Sequence, residues 1–203
     1  MSILAGKAHI GPLTGLADGL GRTCSTLSAL LGAERPERKQ LATELGELLE
    51  EADAAARVLL GDVARSFITP IDRVMLADLA TGIPDVIERL YGTGELILEH
   101  RIGKVPEDAG RALASIERSA EIIGESVRSF GRPRDLIPLQ HEIRRLMRDA
   151  RSTIRRGLAE TVSATPDPRL AQRERDILQQ LIRVTEGVDT VAGTLRGVAV
   201  RES

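Results

Sequence analysis

Glu50, Glu51 and Asp53 stand close together in the chain, and Asp85 and Glu88 repeat the i, i+3 spacing of Glu50 and Asp53. On a helix that spacing puts both carboxylates on one face. Carboxylates from neighbouring antiparallel helices can converge on a hard cation or a carboxylate-bridged iron pair. Such di-iron bundles also use Glu-x-x-His, which this chain lacks, so solvated acidic faces are the plain alternative. Arg144, Arg148, Arg151 and Arg155 fall at i, i+4, i+7 and i+11 and form one helical stripe. A guanidinium stripe suits an acidic partner, phosphate or anionic lipid head groups. A solubilising face is its plain alternative, because Glu142 and Asp149 weaken the field. His9, His100 and His141 stand in no metal-ligand spacing such as H-E-x-x-H. No G-x-S-x-G elbow, P-loop or G-x-G-x-x-G occurs. Neither covalent catalysis nor a nucleotide cofactor is expected.

The elements that must position these groups read as helices. Leu13, Leu16, Leu20, Cys24, Leu27 and Leu31 form a first apolar stripe, weakened by Gly15, Gly19 and Gly21. After a break at Arg35-Pro36, Leu41, Leu45, Leu48, Ala52, Ala55, Leu59, Val63 and Phe67 predict a second, long helix. Pro70 disfavours helical geometry at Thr69. Thr69 is therefore expected to cap a third helix, with Asp72 as the reciprocal carboxylate. That helix carries Ile71, Met75, Leu79, Val86, Leu90 and Ile97, with a kink expected at Gly82 and Pro84. Gly103 to Pro106 separates a second half. There Ala109 to Val127 predicts helix four, Phe130 to Pro138 a loop, Leu139 to Val162 helix five and Leu170 to Val198 helix six. Thr69-Pro70 recurs as Thr165-Pro166, 96 residues later, each time between the second and third long helix of its half. The expectation is an all-α fold: one domain over 1–203, made of two three-helix-bundle repeats, 1–102 and 103–203, side by side in a six-helix bundle.

Composition narrows the function. The chain has 203 residues, 42% hydrophobic and 29% charged, which excludes wholesale disorder. Its aromatics are Phe67, Tyr91 and Phe130 alone, too few for strand-rich folds or for stacking bases, so no nucleic acid partner is expected. A single cysteine, Cys24, excludes an intrachain disulfide and a cysteine-built metal site. No run of 18 apolar residues occurs, and Met1 to Pro12 lacks a charged region followed by an apolar stretch. A cytoplasmic protein without direct membrane insertion is expected. Residues 1–100 hold 15 acids and 9 bases, net −6, whereas residues 101–203 hold 15 acids and 19 bases, net +4.

The string Phe67-Ile68-Thr69-Pro70-Ile71-Asp72-Arg73, with Glu50-Glu51-Ala52-Asp53 ending 14 residues before it, resembles the PhoU-like family of phosphate-transport accessory proteins. The likeness is to the branch associated with Pit-type phosphate permeases. It implies a cytosolic, non-enzymatic regulator that contacts the cytoplasmic face of a permease and lies at the inner surface of the membrane. Whether two copies pair stays open. A structural helical interaction module, or a carboxylate-bridged metal protein, is the alternative. The resemblance also implies E/D-x-x-x-D motifs holding cation clusters, and here they are degenerate. Leu49 stands where an acid should pair with Asp53, and Pro84 interrupts the motif that Asp85 and Glu88 otherwise fit. Met147 and Arg151 replace the acid pair of helix five, while Glu186 and Asp189 on helix six are out of register. Asp53, Asp85 and Glu88 remain as candidate ligands, for no cofactor or at most one weakly bound cation. Arg144, Arg148, Arg151 and Arg155 are the candidate partner-binding residues, and Arg151 is expected to replace metal with an ion pair across the bundle.

Overall fold

Apolar side chains spaced three and four apart must meet a partner surface, and with almost no rings the partners here are other aliphatic helices. The computed structural model describes residues 2–66, 69, 71–130 and 133–201. It contains α1 (Ser2–Gly32), α2 (Arg35–Arg65), α3 (Arg73–Glu99), α4 (Glu107–Arg128), α5 (Pro133–Ala164) and α6 (Pro168–Arg201), with no strand among the described residues. The predicted stripes supply most of the core, with Leu31, Leu41, Ala55 and Met75 only partly buried against it. Leu13, Leu16, Leu20, Cys24 and Leu27 of α1 are buried, as are Ala109, Leu113, Ile116, Ala120, Ile123 and Val127 of α4. Burial, and secondarily Glu117, pushes the Cys24 thiol far above its ordinary range, so it stays protonated.

α1, α2 and α3 pack on one another, and so do α4, α5 and α6. The halves join through α1 against α4 and α3 against α6, while the α4–α6 contact, the smallest, lies within the second half. α2 and α5 are therefore outer helices. The α1–α4 joint is polar at its rim, where Arg128 donates to Asp18 at 2.9 Å and Ser25 to Glu117 at 2.7 Å. The α3–α6 joint is tight. A Cβ on Gly187 would lie 3.0 Å from Val86 Cγ2, one on Gly82 3.2 Å from Val191 Cγ2, and one on Gly197 2.7 Å from Met75 Cε. Glycine at these positions lets the two helices approach closely. Both joints run antiparallel, because partner numbers rise on one helix as they fall on the other. Where the halves meet in sequence, buried Arg38 donates to the carbonyls of Ile102, Gly103 and Leu31, tying the α3–α4 connection to the end of α1.

Two local expectations are corrected. Thr69 does not cap α3: its hydroxyl donates to the Ile71 carbonyl at 2.7 Å, and Asp72 is the cap, accepting from the N–H groups of Val74 at 2.9 Å and Met75 at 3.3 Å. Thr165 behaves alike, donating to Glu174, while Asp167 accepts from the Arg169 N–H at the start of α6. The Phe130–Pro138 segment is not a loop throughout, since α5 begins at Pro133. A proline suits a first helical position, and Pro138 falls within the first two turns, where it removes a single backbone bond. As expected, Gly82 and Pro84 do not stop α3: both lie inside the helix, where Ile83, Pro84, Val86 and Ile87 are all buried, so packing offsets the bond Pro84 removes. Of the Phe67–Arg73 string, Phe67, Ile68 and Pro70 lie outside the described residues.

Candidate functional site

The candidate acids and the candidate arginines meet different fates. Asp53 is exposed on α2. Asp85, half-buried, is gripped by Arg89 one turn further along α3, with Nε at 2.8 Å and Nη2 at 3.3 Å on its two oxygens. The same guanidinium donates through Nη1 to the Arg183 carbonyl at 2.9 Å, and a Cβ on Gly187 would stand 3.4 Å from Asp85 Oδ2, so the pair faces α6 rather than α2. Glu88 is exposed. The three acids are not brought together. Among the described residues, no group of three or more His, Cys, Asp or Glu side chains is placed to hold a metal ion.

The arginine stripe is brought together, with help from α6. Arg151, half-buried, pairs with Asp189 of α6 across the bundle. Around that pair lie two adjoining hollows. One, of about 160 Å³, is lined by Gln140, Arg144, Asp189, Ala192, Gly193 and Arg196. The other, of about 420 Å³, is lined by His141, Arg144, Arg148, Arg151 and Asp189. Arg144 and Asp189 border both. Arg155, the last member of the stripe, lines neither hollow. Among the described residues no carboxylate pairs with Arg144, Arg148 or Arg196.

Helix geometry explains the grouping. Positions 140, 144, 148 and 151 climb one face of α5, while Ile143, Met147, Ala150 and Ile154 face the core. Met147 is fully buried, which places one member of the expected acid-pair position in the core and not at a ligand site. On α6, Asp189, Gly193 and Arg196 share the facing stripe beside the buried Val188, Val191 and Leu195. Sequence reasoning found the α5 arginines and noted Asp189, but missed Gln140, Arg196 and Gly193. The available signal was a helical stripe on α6 carrying a charge at each end and small residues between.

No family model and no curated protein matches the chain. Solved structures do. A PhoU-like protein from Shewanella oneidensis MR-1 superposes with a TM-score of 0.81 over 95% of this chain and 99% of its own, at 12% identity. The fold is PhoU-like. A second structure from the same organism, described as that of a PhoU-like phosphate regulatory protein, gives a TM-score of 0.79 over 95% of this chain and 99% of its own, at 13% identity. Against the PhoU-like expectation of cation clusters, this chain's donor set does not fit: its acids are dispersed, and Asp85 is already neutralised by Arg89. Arg151 brings a cation's charge to the α5–α6 groove, and a guanidinium cannot ligate a metal.

Proposed function

We propose that the protein is a regulatory accessory of inorganic phosphate transport that acts by contact with the cytoplasmic face of a Pit-type phosphate permease, and not by catalysis. The observation that carries this reading is the PhoU-like fold over 95% of the chain, shared with a protein described as a phosphate regulatory protein. The contact surface in this reading is the α5 stripe of Arg144, Arg148, Arg151 and Arg155, three of which are exposed. Guanidinium forks can pair with the carboxylates or head-group phosphates met at the inner membrane surface. No described helix is long and apolar enough to cross a membrane, so the contact is peripheral in this reading. The protein works with no cofactor, or with at most one weakly held cation in its first half.

Recovery of the protein with membranes from cells that do or do not make the permease tests the reading. Higher recovery with the permease, reduced when Arg148 and Arg155 are replaced by Gln, is the expected result. Equal recovery from both membranes overturns it.

A further inference from the structure

We infer that the groove between α5 and α6 is a binding site for a phosphate-class oxyanion, bound by Arg144, Arg196 and Gln140 over the bare backbone of Gly193. The inference deepens the phosphate-regulation reading by naming a ligand, yet it concerns the isolated chain and its test needs no permease.

Charge is the first argument. Among the described residues, four guanidiniums, Arg144, Arg148, Arg151 and Arg196, border the paired hollows against one carboxylate, Asp189, whose charge Arg151 already balances. The three remaining guanidiniums have no carboxylate partner among the described residues. Converging unpaired cations repel one another, and an anion between them relieves that repulsion. Their planar forks match the oxygens of phosphate.

The second argument comes from buried donors. Gln140 is 5% exposed, and its Nε2 has no hydrogen-bond partner, although the side chain lines the smaller hollow. Arg151 Nε is likewise buried and unpartnered. Buried donors without acceptors are rare and costly. A ligand rich in acceptor oxygens, as an oxyanion is, would satisfy Gln140 Nε2 in the smaller hollow.

Size is the third. A hollow of about 160 Å³ equals roughly five waters at about 30 Å³ each. That suits a tetrahedral anion and its residual hydration, and is too small for a helix. Gly193 contributes by lacking a side chain, since a Cβ there would meet nothing within 4 Å. Its empty position faces the space the ligand would take.

Free phosphate and a lipid phosphomonoester offer the same chemistry, and the experiment separates them. The full chain, in phosphate-free buffer, is titrated with sodium phosphate by calorimetry. In parallel it is floated with vesicles of phosphatidylcholine alone or with added phosphatidic acid. Saturable binding of phosphate assigns the site to the free anion. Binding only to phosphatidic acid vesicles assigns it to the lipid. In either case Arg144→Gln and Arg196→Gln should each weaken binding on the order of tenfold or more, as loss of a charge-assisted hydrogen bond does. Gly193→Leu should abolish it without lowering the thermal midpoint. Arg57→Gln, an equal charge change on the exposed side of α2, should leave it unaltered. Asp189→Asn decides the sign of the ligand, because it tightens an anion site and weakens a cation site. Binding of neither probe, wild-type binding by Arg144→Gln and Gly193→Leu, or weakened binding by Asp189→Asn overturns the inference. A failed co-purification with the permease leaves these results standing, so the two readings fail separately.

Discussion

The outer helices α2 and α5 hold equivalent places in their halves, each packed only on helices of its own half, yet the surfaces beside them carry opposite chemistry. In the first half the candidate acids are dispersed: Asp53 and Glu88 point to solvent, and Asp85 is drawn into the α3–α6 joint by Arg89. In the second half arginines converge on one groove, and Asp189, the single acid that faces them among the described residues, is paired. The net charges of −6 and +4 follow the same division. A shared scaffold therefore constrains the core positions and leaves the groove positions free, so one architecture can present a cationic groove where relatives of the same fold are expected to hold cations. Which role a charged residue takes is decided by the helix it faces, not by its spacing alone.

The largest expected effect tests that point with one substitution made twice. Gly187 and Gly193 lie on α6, but Gly187 faces α3, and a Cβ there would stand 3.0 Å from Val86 Cγ2 and 3.4 Å from Asp85 Oδ2. Gly187→Leu should overpack the joint at a cost of about 1–3 kcal/mol. Gly193→Leu opens onto free space and gains helix propensity, up to about 1 kcal/mol. Urea-denaturation midpoints should move in opposite directions. Equal shifts would mean that the two faces of α6 are not distinct.

A smaller effect compares the two Thr-Pro connections. Asp72→Ala and Asp167→Ala should each cost about 1 kcal/mol, because each removes the side-chain acceptor at the start of the third helix of its half. Thr69→Ala and Thr165→Ala should cost less, since neither hydroxyl caps a helix. A larger loss at Thr69 than at Asp72, by thermal unfolding, would reverse the assignment of the cap.

Much of this architecture is legible in the sequence because burial obeys period. All six positions expected to be apolar on α4 are buried, and Thr69 and Thr165 of the recurring Thr-Pro pair fall just before α3 and α6. The start of α5 was not legible. Two prolines within six residues usually mark a loop, whereas here they fall in the first two turns of α5, with Leu136 between them buried. The groove was half legible for a related reason. Arg144, Arg148 and Arg151 declare a common face by spacing on one helix, whereas Gln140 and Arg196 become neighbours only once α5 and α6 pair. The acids mislead because Asp85 and Glu88 share a spacing but not an environment. α3 is packed against α1, α2 and α6, and Asp85 is turned toward α6.

The smallest expected effect concerns metal content, and it bears on the comparison most directly. A hard cation needs several oxygen ligands facing one partly dry site. In the second half Arg151 already neutralises Asp189, and a metal would have to displace a guanidinium bound within its own fold. Removing Asp189 should therefore leave the metal content unchanged. In the first half both oxygens of Asp85 are taken by Arg89, leaving Asp53 and Glu88 as exposed single carboxylates, each able to hold an ion only weakly. Elemental analysis of protein purified without chelator, with iron, zinc and magnesium supplied, should find no multinuclear cluster and at most one ion, lost on dialysis and absent from Asp53→Ala. Two or more tightly held ions per chain would break the contrast between the halves, because carboxylates now apart would have to converge. An ion retained in Asp53→Ala but lost in Asp189→Ala would move the site to the arginine groove, and the groove would then have to shed its ion pair to bind it.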